Sequence, residues 1–163
     1  MIGRSVRVFV TRAVRIAVMA PSALIVGWAG TAHAALGDTV ASVQTDARNM
    51  RVGLTLVSHA AYDVFEGTRA DGLRLREFVS PAGMVFAVSW TAAVPPDMNL
   101  LLGGYYQEYV QKSGAIQRSG LRRSLRIASL SLVVESGGHM RSVEGRAYLP
   151  QLLPAGVSVS EIH

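Results

Sequence analysis

The residues able to do chemistry are few and scattered. His59, His139 and His163 are the histidines beyond residue 35, and no H-E-x-x-H motif pairs any of them. Glu135 and His139 stand four residues apart, as two ligands on one helix face would. Gly137-Gly138 between them reads as a hairpin turn, which removes that face. His163, last in the sequence, is read as an unplaced tail residue. Ser80 sits in "REFVSPAGMVFAVSW" without a G-x-S-x-G elbow and with Pro81 where an oxyanion-hole N–H would be wanted. Ser80-Pro81-Ala82-Gly83 fits a tight turn at each position: Ser first, Pro presetting φ, Gly last. Neither Gly103-Gly104 nor Gly137-Gly138 belongs to a phosphate-binding loop. With no cysteine in the chain there is no disulfide, no thiolate metal site and no Cys nucleophile. The expectation is a chain without catalytic residues, bound metal or cofactor. A triad assembled in space from His59 or His139, a serine and an acid is the alternative, since such sites leave no local signature.

Two groups of residues suit binding better. Arg118, Arg122, Arg123 and Arg126, with Lys112 nearby, form one basic cluster. Guanidinium forks at that density suit a lipopolysaccharide phosphate, an anionic glycan or an acidic partner; a solvated loop is the plainer reading. Tyr105, Tyr106 and Tyr109 form the second group. On one helix Tyr105 and Tyr109 share a face, and Tyr106 points about 100° away. Tyr105 and Tyr109 are therefore expected in the core, and Tyr106 on the surface as a binding candidate.

These residues have to be delivered to the right compartment. Residues 1–34 begin with Arg4, Arg7, Arg12 and Arg15 and no acid, continue through an apolar run of about 15 residues, and end in Thr31-Ala32-His33-Ala34. Basic start, apolar middle and small-residue exit describe a secretory signal peptide. Cleavage is expected between Ala34 and Ala35. A spanning helix would need roughly 20 apolar residues, and Pro21, Gly27 and Gly30 interrupt this run. No later stretch is apolar enough to span a membrane, so the address is the periplasm or the medium. Beyond the cut there are 12 basic and 11 acidic residues, so the precursor's charge of +5 falls to +1. A nucleic-acid partner loses its electrostatic argument.

The elements that position the candidates follow from periodicity. Asp38 stands as an N-cap before Val40, Val43, Ala47 and Met50 at helical spacing. Three or four short strands follow, with Asp71-Gly72 as a turn. Leu73 and Leu75 alternate with Arg74 and Arg76, giving one inward face and one charged face. Met84 to Trp90 is almost wholly apolar and reads as a central strand buried on both sides. Pro95-Pro96 ends it, Asp97 caps a second helix, and Met98, Leu101, Leu102, Tyr105 and Tyr109 make its stripe. Gly103-Gly104 within that helix implies a kink or, preferably, close packing on the sheet. "AIQRSGLRRSLR" reads as a loop. A second hairpin follows, with Gly137-Gly138 in its turn and a bulge near Ala128-Ser129. Val143, Ala147 and Leu149 share one face of it, and Glu144, Arg146 and Tyr148 the other. The tail after Leu149 is Pro-broken. The sum is a single α+β domain over residues 35–163: two layers, an antiparallel sheet of five to six strands, and two helices on one face.

The segments "AHAALG", "REFVSPAGMVFAVSW", "PPDMNLLLGGYYQEY", "VVESGGHMR" and "GRAYLPQLLPAGVS", in this order, resemble an exported bacterial family catalogued as domain of unknown function 2844. The resemblance implies one exported domain, typical of proteobacteria, and no activity or site residue. The leading functional expectation is a non-enzymatic periplasmic or secreted binding module that docks to another exported protein or an envelope component. A small hydrolase with a spatially assembled site, and a subunit that self-assembles through an exposed sheet edge, are the alternatives.

Overall fold

A computed structural model describes residues 36–115 and 124–163. Helix α1 (Val40–Met50) comes first, then strands β1 (Gly53–Ser58), β2 (Asp63–Thr68), β3 (Arg74–Val79) and β4 (Val85–Ala92). Helices α2 (Met98–Leu102) and α3 (Tyr106–Ala115) follow, separated by a 3-10 turn at Gly103–Tyr105. Strands β5 (Ser124–Ala128), β6 (Val133–His139) and β7 (Ser142–Tyr148) complete one antiparallel sheet in the order β1-β2-β3-β4-β7-β6-β5. Every neighbouring pair is a hairpin except β4 and β7, which join the two halves of the chain.

The fold is α+β as expected, but the sheet has seven strands rather than five or six. The additional strand lies where a loop was expected: Ser124, Leu125 and Arg126 open β5. The anticipated bulge near Ala128-Ser129 is instead the turn from β5 to β6, closed by Ser129 N–H to the Leu132 carbonyl at 2.9 Å. Gly137-Gly138 lies inside β6, and Met140 and Arg141 make the next turn, with Arg141 at φ 64°. At Gly138 the φ is +146°, and a Cβ there would stand 2.2 Å from the Ser142 carbonyl oxygen. The glycine is required by that close approach, not by a turn.

Local chemistry explains the other boundaries. Ser80 N–H bonds the Met84 carbonyl, Gly83 N–H bonds the Ser80 carbonyl, and Gly83 takes φ +76°, so "SPAG" is the β3–β4 turn. Asp97 caps α2 by accepting from the Asn99 N–H at 2.9 Å. Thr39, not Asp38, is the N-cap of α1. Gly103 adopts φ 49°, ψ −119° and stops the helix, while a Cβ on Gly104 would meet nothing within 4 Å. The pair breaks the helix rather than pressing it onto the sheet.

The two faces of the sheet are covered differently. Leu75, Val88, Trp90, Val134 and Ala147 pack on one face under Leu36, Val43, Leu101 and Leu102. The helices therefore lie on that side, with Glu77 buried among them at 1 % exposure. On the other face Val64, Phe78, Phe86, Val133 and Tyr148 are sealed by Ile162 and the partly buried Leu152, Leu153, Val157 and Val159. This tail contains 3-10 turns at Pro150–Leu152 and Val159–Glu161. It forms a partial third layer in place of the expected open face.

Candidate functional site

The tail covers only part of its face. Across the strands Val64, Phe78, Ala87, Tyr148, Val133 and Ala128 stand in register as an apolar row. Two residues along each strand is a charged row: Glu66, Arg76, Ser89, Arg146, Glu135 and Arg126. Because strand side chains alternate with period two, both rows share one face. A further step gives Arg74, Thr91, Glu144, Gly137 and Ser124. The face thus runs from apolar under the tail, through charged, to a hydroxyl- and charge-bearing outer row.

The charged and outer rows floor a trough of about 670 Å³, which Ile162 and His163 of the tail also line. Its volume lies in the range of small-ligand sites. Four arginines (Arg74, Arg76, Arg126, Arg146) and two glutamates (Glu135, Glu144) line it, an excess of two positive charges.

The inner charges are committed to the fold. Arg146 grips Glu135 with Nε at 2.8 Å and Nη2 at 2.7 Å, and its Nη1 donates to the carbonyls of Val159 and Ile162 at 2.8 and 3.2 Å. Arg76 pairs with Glu66 at 2.9 Å and also donates to the His163 carbonyl. The tail is anchored once more where Tyr62 Oη donates to Glu161 at 3.1 Å; burial, with Glu161 adding to it, raises the pKa of Tyr62. The outer charges are freer. Arg126 meets Glu135 with Nε at 3.1 Å, and its side chain is 72 % exposed. Among the described residues Arg74 and Glu144 have no ion-pair partner.

The family described as protein of unknown function (DUF2844) matches residues 32–162. The chain belongs to this family. No curated protein and no solved structure matches it.

Placed on the DUF2844 chain, the sequence-derived candidates separate. Ala34 and Ala35 of the cleavage site, and Arg118, Arg122 and Arg123 of the basic cluster, lie outside the described residues. Arg126 lies within them, as a strand residue on the trough. Tyr106 is half-buried: its ring stacks on Tyr109 at 6.2 Å and packs against the helix-side core. Burial, with the neighbouring Tyr106, raises the pKa of Tyr109.

The histidines are not brought together. His59 stacks on Tyr62 at 4.8 Å. The rings of His139 and His163 approach only the backbone carbonyls of Met140 and Ser160. His163 is a placed residue on the trough, not a loose end. Among the described residues no histidine ring is bonded to a serine hydroxyl or a carboxylate, and no three His, Asp or Glu side chains group as metal ligands. No helix among them is long and apolar enough to cross a membrane.

Sequence reasoning missed Arg74, Glu135 and Glu144 as members of one site. The signal was present in the strand alternation, which put Arg74 with Arg76 and Glu144 with Arg146 on polar faces. What was absent was the β4–β7 pairing that makes those two faces one.

Proposed function

We propose that this DUF2844 chain is an exported, non-enzymatic binding module that docks through the trough to an envelope component or another exported protein. The observation that supports it is the division of labour among the trough's charges. Arg76 and Arg146 are spent on anchoring the tail, whereas Arg74, Arg126 and Glu144 point their charge at solvent beside Thr91 and Ser124. Exposed charged groups on a concave sheet face, two of which (Arg74 and Glu144) have no ion-pair partner among the described residues, are what recognition uses.

The test is crosslinking in cells of the tagged exported protein, followed by capture and mass spectrometry, with Arg74→Gln/Arg126→Gln alongside. One dominant envelope component at near stoichiometry, lost in the double variant, is the expected result. A clean bait, or capture indifferent to the two arginines, overturns the reading.

A second reading rests on β1. It is an edge strand, and Leu56, 53 % exposed, stands on it beside the exposed Val57. An open edge with apolar side chains is a template for a second copy. Light scattering would show a mass that rises with concentration and returns to the monomer in Leu56→Lys. A constant monomer mass excludes it.

A further inference from the structure

We infer that the trough takes an anionic saccharide, with Arg74 and Arg126 receiving its acidic groups and Glu144 receiving its hydroxyls. This rests on the binding-module reading and names the chemistry of its ligand.

The inference follows from which groups are left to bond. Arg76 and Arg146 already meet carboxylates and tail carbonyls. Among the described residues Arg74 has no ion-pair partner, and Arg126, which meets Glu135 with Nε at 3.1 Å, keeps a side chain 72 % exposed. Both are donors that accept nothing, so their natural partner is a carboxylate or phosphate oxygen. Arg74 lies on β3 and Arg126 on β5, four strand spacings apart and so about 19 Å along the sheet. A single small anion cannot meet both; an elongated ligand carrying more than one acidic group can.

Glu144 decides the rest. It stands on β7 between Thr91 and Gly137, midway along the outer row. A carboxylate there repels a plain polyanion, which argues against nucleic acid, but accepts hydrogen bonds from hydroxyl groups. The hydroxyls of Thr91 and Ser124 flank it on the same row and can donate or accept. A polyhydroxylated chain with acids at intervals satisfies the whole sequence of groups. The indole of Trp90, 3 % exposed, belongs to the helix-side core on the opposite face of the sheet, so no aromatic platform is offered to a neutral sugar. Affinity must come from charge and hydrogen bonds, and should fall as salt rises.

The experiment is isothermal titration of the purified exported protein at low salt. The probes are trigalacturonate, maltotriose phosphorylated on both end residues, neutral maltotriose, and tetraglutamate, an extended polycarboxylate with no hydroxyl. The expected result is binding of an acidic sugar and not of maltotriose, weakened at least about tenfold in Arg74→Gln/Arg126→Gln, since each charge-assisted bond is worth that much. The tighter of the two acidic sugars separates a carboxylate from a phosphate source. Glu144→Gln should weaken the acidic sugar and strengthen tetraglutamate. An unchanged melting temperature in each variant shows that binding, not folding, was altered. Failure of both acidic sugars, equal binding of tetraglutamate, or indifference to the double variant overturns the inference. If the wild-type chain still captures its envelope partner while both sugars fail, only the saccharide assignment falls; if capture fails too, the docking reading falls with it.

Discussion

Arg146 on β7 and Glu135 on β6 face each other across the ladder, and two guanidinium nitrogens of the arginine hold one carboxylate oxygen at 2.8 and 2.7 Å. The same arginine holds the tail through two carbonyls, so one side chain ties the sheet to the segment that covers it. Arg146→Met should cost about 2 kcal/mol, the worth of charge-assisted bonds at a half-buried position. Arg126→Gln, at the exposed end of the same row, should cost well under about 1 kcal/mol. Urea denaturation of both variants measures the difference. Equal losses would mean that Arg146 is not an anchor.

Gly145 lies opposite Trp90 on the helix side of the sheet. A Cβ at this position would stand 2.4 Å from Trp90 Cζ2, 2.7 Å from Cε2 and 2.8 Å from the Glu135 carbonyl oxygen. The indole is buried and the oxygen belongs to the ladder, so neither can yield easily. Gly145→Ala should destabilise by about 2 to 3 kcal/mol through overpacking, with a shift in tryptophan emission. Gly104→Ala, which would meet nothing, should be neutral or stabilising. A Gly145→Ala variant as stable as the parent would mean that Trp90 moves aside.

Much of this architecture is legible in the sequence because its causes are local. Asp97 caps its helix, "SPAG" turns, and the apolar run at 84–90 lies in the sheet's centre because turn chemistry and burial act over a few residues. Arg126 was placed in a loop because its neighbours are polar, yet an edge strand needs only one buried side chain in two, and Ile127 supplies it. The Gly-Gly pair at 137 and 138 resembles a turn, while its real reason is a close backbone contact that no local pattern shows. The trough is the least legible feature. It depends on β4 pairing with β7, some fifty residues away in the chain, and on a tail that folds back over half a face.

Ile162 tests that tail from its apolar side. It is 0 % exposed and clusters with Tyr62, Phe78, Phe86 and Tyr148. Ile162→Ala should cost about 2 to 4 kcal/mol, the loss of transfer energy plus a cavity. It should also expose the tail to protease before the sheet unfolds. Val94→Ala, at a residue 72 % exposed, should change stability by less than about 0.5 kcal/mol. If both variants behave alike, the tail is not a packed layer.

Glu108 on α3 gives the fold a defined response to acid. Its carboxylate accepts from Ser129 Oγ at 2.5 Å and from Ser131 Oγ at 2.9 and 2.8 Å, tying the helix to the β5–β6 turn. The Ser129 bond first, then Ser131 and the charge of Lys112, hold its pKa below the ordinary 4.5, against desolvation. A group whose folded pKa is depressed contributes stability that is complete above its unfolded value and is lost as pH falls through the folded one. Stability should therefore drop on acidification below about pH 4.5 more steeply in the parent than in Glu108→Gln, by no more than about 1 kcal/mol after solvent screening. Subtracting the variant's curve removes the other carboxylates, including Asp71, which Arg69 holds at about 2. Ser129→Ala/Ser131→Ala should abolish the difference between the curves. Parallel curves for parent and Glu108→Gln would show that these hydroxyls do not favour the charged form.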